Sequence, residues 1–182
     1  LTFIKHTLKT NFFVDEKHAL AFRLDPAYLD ELGPVFTGDL PSERPFRVTF
    51  FAARYGLGYH IGFADIARGG WRTIFADTRD DYVTVANHLF RENYVLAHTQ
   101  HLKNKDIYEG GSKLVMIMDA SALQKEERDQ ETRRLHKLQR GVIDAFLDVF
   151  VTKDGVARHP RVVDYYREDE PIELGPDENM HD

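Results

Sequence analysis

The chain has 182 residues, 42% hydrophobic and 30% charged, with a net charge of −6. These are ordinary proportions for one folded domain with its own core. There is no cysteine, which excludes a disulfide scaffold and any thiolate metal site. The longest stretches free of Asp, Glu, Lys and Arg, Tyr55–Ala64 and Asn93–Leu102, are ten residues each, half of the ~20 apolar residues that a membrane-spanning helix needs. Lys5, Lys9, Asp15 and Glu16 interrupt the N-terminus, so no secretory signal is read there and a cytoplasmic protein is expected. Seven of the 30 carboxylates and one of the 24 basic residues fall in 167–182, leaving the remainder balanced with 23 of each. No broad basic face remains to release counterions from a phosphate backbone, which argues against a nucleic-acid partner.

In chain order, residues 2–14 suggest a short helix end followed by extended chain. Phe46, Val48 and Phe50, then Tyr59, Ile61 and Phe63, alternate with other residues around Tyr55-Gly56-Leu57-Gly58, the pattern of a β-hairpin. Ala67-Arg68-Gly69-Gly70-Trp71-Arg72 reads as a loop. A long helix opens near Asp77 or Thr78 with an apolar face of Tyr82, Val85, Ala86, Leu89, Asn93, Leu96 and Ala97. After Lys103-Asn104 the period is lost, Gly110-Gly111 reads as a turn, and Leu114–Met118 reads as a strand buried on both faces. Ser121 and Gln124 form a capping box for a second long helix, which turns apolar from Leu135 to Phe150 and ends at Lys153-Asp154-Gly155. The acidic tail reads as solvated, except that Pro171–Pro176 could form a short strand opening onto Asp177. Strands alternating with long helices predict an α/β, three-layer domain with a small mixed sheet flanked by helices. The chain begins at Leu1 and stops at Asp182 without a terminating element, so residues 1–182 are expected to be one domain of a longer polypeptide.

The most unusual stretch is Thr99–Lys113. It gathers Lys103, Lys105 and Lys113 around Gly110-Gly111, at the junction of a helix and a buried strand. Glycines let backbone approach a ligand and lysines supply positive charge. Lys113, next to the apolar strand, is expected to be half buried. A Walker-type phosphate loop is excluded, since its spacing is absent and the order here is helix, loop, strand. His98 and His101 share a helical face but lack a carboxylate at ligand spacing, so they read as packing or surface residues rather than a metal site.

Ala67-Arg68-Gly69-Gly70-Trp71-Arg72, a long helix ending Gln100-x-x-Lys103-Asn104, then Gly110-Gly111-Ser112-Lys113 and Gly175-Pro176-Asp177 together resemble the substrate-binding domain of the glutamate dehydrogenases. These belong to the wider Glu/Leu/Phe/Val dehydrogenases. Leu8–Phe13 and Ala21–Pro26 look most like the large, NAD-specific bacterial forms. The resemblance implies that Lys113 is the catalytic base toward the attacking water and that Asp177 exchanges protons with the amino or imino group. It implies that Gln100 and Lys103 hold the substrate α-carboxylate, and that Arg68, beside Gly69 and Gly70, pairs with the side-chain carboxylate. The implied reaction is oxidation of L-glutamate to 2-oxoglutarate and ammonia with NAD, by a homo-oligomer. The NAD-binding domain is expected beyond residue 182, because no G-x-G-x-x-G fingerprint occurs here.

Elementary chemistry agrees. A diacid needs two cationic anchors, and Arg68 can grip a carboxylate bidentately while Lys103 acts as a point charge. A lysine base must titrate roughly 2–3 units below its ordinary ~10.4 to work near neutrality. Burial with Lys103 and Arg68 nearby would depress it, and Asp177 would offset part of that until a second domain closes. The family's usual glycines after the catalytic lysine are Leu114 and Val115 here, and the surroundings of Asp177 also differ. Two alternatives stay open: a non-catalytic ligand-sensing or oligomerisation module of the same fold, and a dehydrogenase of another acidic amino acid.

Overall fold

A computed structural model describes residues 2–104, 106–123 and 128–180. In chain order the elements are α1 (Thr2–Lys5), β1 (Thr7–Thr10), β2 (Ala19–Leu24), α2 (Tyr28–Leu32), α3 (Pro34–Thr37), β3 (Arg47–Ala53), β4 (Gly56–Gly62) and β5 (Ala67–Ala76). They continue with α4 (Arg79–Lys103), β6 (Gly110–Asp119), α5 (Arg128–Phe150), β7 (Thr152–Lys153), β8 (Val156–Ala157), β9 (Val163–Asp164) and β10 (Ile172–Glu178). Eight strands form one sheet in the order β10-β5-β6-β4-β3-β2-β1-β9, and β7 pairs with β8 apart from it. β10, β5 and β6 run parallel, while every other neighbouring pair is antiparallel.

The sheet is mixed, as expected, but it is large rather than small. The difference comes from three segments. Ala67–Arg72 does not form a loop; it begins the ten-residue strand β5. The acidic tail supplies β10 at one edge, and β9 adds to the other.

Leu114–Met118 of β6 are all fully buried, as their apolar run predicted. Leu114, Met116 and Met118 face α5, packing in one core with Leu135, Leu138, Val142, Ala145 and Val149. Val115 and Ile117 point the other way, into a core with Leu89 of α4. Helices therefore cover both faces, and each such side chain contributes ~1.5–3 kcal/mol by leaving water. Thr78 caps α4, its hydroxyl accepting from the Asp81 N–H. The buried face of α4 also includes Phe90 and Tyr94. At the polar interruption Asn93, Nδ2 donates to the Tyr59 carbonyl at 2.5 Å.

The β3–β4 hairpin turns at Arg54-Tyr55, so Gly56 and Gly58 lie inside β4 rather than in the turn. Likewise Gly110 and Gly111 open β6 instead of forming a turn. Gly111 is required by close approach, because a Cβ there would overlap the His101 backbone nitrogen in the last turn of α4. The turn expected at Lys153-Asp154-Gly155 is present, with Asp154 and Gly155 at φ +54° and +71°, the left-handed pair favoured in two-residue hairpins. Gln124 of the expected capping box and Lys105 lie outside the described residues; Ser121 donates both its N–H and its hydroxyl to Asp119.

After α5 the chain reaches β9 at one edge of the sheet, and residues 165–171 then run back to β10 at the opposite edge. Most of this tail is solvated as its charge predicted, but Glu170 is buried.

Candidate active site

The parallel register of β5, β6 and β10 builds the site. Gly70 of β5 lies beside Lys113 of β6 on one side and Gly175 of β10 on the other. The β10 register slips between Pro176 and Glu178, so Asp177 is the extra residue of a bulge. Asp177 lies over Gly70, and its carboxylate accepts a hydrogen bond and ion pair from Lys113 Nζ. The Lys113 side chain is only 13% exposed, whereas that of Asp177 is 40% exposed. The pair is thus walled by protein on the sheet side and open to solvent outside. The Lys113 hydrogen bond and charge, with help from Arg72, hold the Asp177 carboxyl below its usual range.

Strand alternation places Arg68, Gly70 and Arg72 on one face of β5. Arg68 is half exposed, and its Nε sits 3.2 Å from Glu109 Oε2. It shares the face of Lys113 but its ion-pair partner is Glu109, not a member of the Lys113 pair. Gly69 alternates to the opposite face, against Ser112, and so lies behind the pair rather than beside it. Gln100 and Lys103 occupy the last turn of α4, which rests on Gly111, two residues before Lys113. Gln100 Nε2 donates to Asn104 Oδ1 at 3.4 Å, and Lys103 is exposed. The structure therefore brings Lys113, Asp177 and Gly70 into contact. Arg68 shares their face of the sheet, and Gln100 and Lys103 stand in the last turn of α4, which packs on Gly111.

Two charged residues beside the site were not anticipated. Arg72 pairs with Glu178 at 2.8 Å, and Glu109 neutralises Arg68. Reading Ala67–Arg72 as a loop hid the alternation that would have put Arg72 on the face of Lys113. His98 and His101 do acquire a carboxylate from far away in sequence. Glu43 lies 3.1 Å from His98 Nε2 and 3.3 Å from His101 Nε2, and the Gly111 N–H donates to His101 Nδ1. Among the described residues no group of three His, Asp or Glu side chains is arranged to hold a metal ion, and no helix is long and apolar enough to cross a membrane.

An ammonium and a carboxylate in contact on a glycine floor, open on one side and with further cations nearby, can hold a small anionic ligand and exchange protons with it. The family model for the catalytic domain of bacterial NAD-glutamate dehydrogenase matches residues 1–176, and the chain belongs to this family. It is 38% identical over its whole length to glutamate dehydrogenase 2 of Dictyostelium discoideum. It is 39% identical over 96% of its length to the NAD-specific glutamate dehydrogenase of Neurospora crassa, and 36% identical over 97% to that of Saccharomyces cerevisiae. The chain spans about 15% of the length of each of these curated relatives.

Proposed function

We propose that this chain is the substrate-binding part of an NAD-dependent glutamate dehydrogenase, with the fold of an amino acid dehydrogenase N-terminal domain. The intact enzyme, a cytoplasmic homo-oligomer in this reading, oxidises L-glutamate to 2-oxoglutarate and ammonia. The observation that carries the reading is the Lys113–Asp177 contact over Gly70. In the reaction, Asp177 exchanges a proton with the substrate nitrogen, and Lys113 as the free amine takes the proton of the attacking water. The substrate ammonium competes with Lys113 for Asp177, which frees the lysine from its resting partner. Closure of a second domain over the exposed side then expels water and favours the uncharged amine.

The two ends of the diacid are held by cations. Arg68 grips the side-chain carboxylate, a role supported by the carboxylate it already holds, that of Glu109, which the substrate displaces. Lys103 and Gln100, at the end of α4, hold the α-carboxylate. NAD would accept the hydride, but the sequence offers it no glycine-rich turn after a strand that leads into a helix. The connections from β5 to α4 (residues 77–78) and from β6 to α5 (residues 120–127) contain no glycine, and a pyrophosphate needs a glycine-rich strand-to-helix turn. The cofactor is therefore assigned to residues outside this chain, and the 182 residues alone are expected to give no turnover.

The test is NAD reduction by the full-length protein with L-glutamate against L-leucine. A site that pairs Arg68 and Lys103 with the two carboxylates of the substrate should favour glutamate by at least about a hundredfold in kcat/KM. Comparable rates with the two substrates would refute it, as would no rate with either.

A further inference from the structure

The segment that carries Asp177 is held in place from a distance. From residue 163 to 180 a single residue is buried, Glu170. β10 has no fully buried side chain; only Ile172 and Leu174 pack partly against the α5 core. Its ladder to β5 is interrupted by the bulge that presents Asp177 and resumes with the exposed Glu178, beyond which Asn179 Nδ2 donates to the Thr73 carbonyl at 2.9 Å. An exposed edge strand with so little burial is weakly fixed by itself.

Glu170, by contrast, is gripped by three cations from three successive strands. Lys9 of β1 reaches its Oε2 at 2.9 Å. Arg23 of β2 donates Nε and Nη2 to Oε1 at 3.1 and 2.9 Å, and Arg47 of β3 donates Nε to the same oxygen at 2.7 Å. None of these four side chains is more than 2% exposed. Lys9 also donates to the Glu168 carbonyl at 3.1 Å, tying the backbone two residues upstream. The Tyr166 ring lies 5.3 Å from Lys9 Nζ and 5.1 Å from the Arg23 guanidinium carbon, which covers the cluster from the same segment. Burial alone would push the Glu170 carboxyl up; Arg23, Arg47 and Lys9 outweigh it and hold it at about 2. Glu170 is therefore an ionised carboxylate throughout the working pH range. Removing the carboxylate would leave three buried cations without their common partner.

We infer that Glu170 is a positioning residue for Asp177: its clamp to Lys9, Arg23 and Arg47 fixes the crossing segment, and so sets the bulge that holds Asp177 against Lys113. This rests on the functional reading above, in which that contact is the proton-handling pair. The charged groups acting on Asp177 are Lys113 from β6 and Arg72 from β5. A slack segment lets Asp177 drift from both, and its carboxyl then rises toward the ordinary carboxylate value.

The test uses the full-length enzyme with Glu170→Gln, Glu170→Asp and Lys9→Met, and with Leu40→Ala as a truncation in a separate core that includes no residue of the clamp or of β10. Glu170→Gln should lower kcat by about tenfold or more with little change in KM for L-glutamate. It should also move the acid limb of the kcat profile up by about half a unit or more. Glu170→Asp, which keeps the charge, should recover part of both effects. Lys9→Met leaves Glu170 paired with two guanidiniums, so it tests the clamp even where Glu170→Gln does not fold. Its acid limb should move the same way by less. Leu40→Ala should lower stability and leave the limb in place. An unmoved limb in both Glu170→Gln and Lys9→Met overturns the inference, and so does an equal shift in Leu40→Ala. Should Lys113→Ala retain activity, the functional reading itself fails; should Lys113→Ala be inactive while the clamp variants behave as wild type, only the positioning role fails.

Discussion

Gly70→Ala tests the architecture of the site without removing any charged group. A Cβ built at position 70 falls 2.8 Å from Asp177 Cβ, 3.4 Å from Cγ and 3.5 Å from Oδ2. Carbon atoms in ordinary contact sit ~3.5–4.0 Å apart, so Asp177 must retreat by about 1 Å. Gly70 has no positive φ, so alanine adopts its backbone without strain and should not weaken the strand. The yielding element is β10, an edge strand without a fully buried side chain, and its outward shift separates Asp177 from Lys113. A displacement of that size at reacting groups costs about a hundredfold in rate. The matched control is Gly175→Ala on the neighbouring strand, where an added Cβ meets nothing within 4 Å. Steady-state kcat/KM for L-glutamate with NAD, measured on full-length protein, should fall about a hundredfold for the first variant and stay near wild type for the second. Equal activity of the two variants would refute the reasoning.

Two further predictions concern specificity and acid stability. Arg68→Leu removes a charge-assisted contact worth ~1.5–3 kcal/mol, so the ratio of kcat/KM for glutamate over leucine should fall roughly ten- to a hundredfold; an unchanged ratio removes Arg68 from the pocket. His60 is fully buried, stacked edge-on against Phe146 with ring centroids 5.8 Å apart. Burial, reinforced by Arg47, pushes it down to about 3. Because its folded value lies below the unfolded ~6.5, the unfolded chain takes up the proton first and stability falls as pH drops from about 6.5 toward 3. Between about pH 7 and 5 the residue should cost about 2 kcal/mol of local stability. Native-state hydrogen exchange of the β4 amides in full-length protein should show that fall, and His60→Phe should abolish it. A fall of the same size in His60→Phe would show that other groups carry it.

The elements that could be read from the sequence are those whose burial is periodic. β6 was legible because Leu114–Met118 is apolar on both faces, and α4 because Leu89, Asn93 and Ala97 repeat at helical spacing. β5 was not, because Arg68-Gly69-Gly70 has the local composition of a turn. Its glycines serve neighbouring strands that are distant in sequence: Ser112 beside Gly69 and Asp177 over Gly70. Lys113 stood out in its lysine- and glycine-rich stretch, but its proposed role and that of Asp177 came only from the family resemblance; their contact depends on a bulge that no local pattern announces. The buried clamp was the least legible feature. Glu170 fell in a tail read as solvated, and only the pairing of β1, β2 and β3 brings Lys9, Arg23 and Arg47 together around it. Arg72 was hidden for the same reason as β5: strand alternation assigns it a face, and a loop has none.

The central claim is that the Lys113 amine is the base of the reaction and that the surrounding cations, not Lys113, hold the substrate. Full-length Lys113→Ala, assayed for NAD reduction and for protection against unfolding by L-glutamate, separates the two roles. The account predicts that turnover is lost while glutamate still protects. A variant that keeps about a tenth or more of the wild-type kcat would contradict it, because loss of a positioned general base costs ~10²–10⁴-fold.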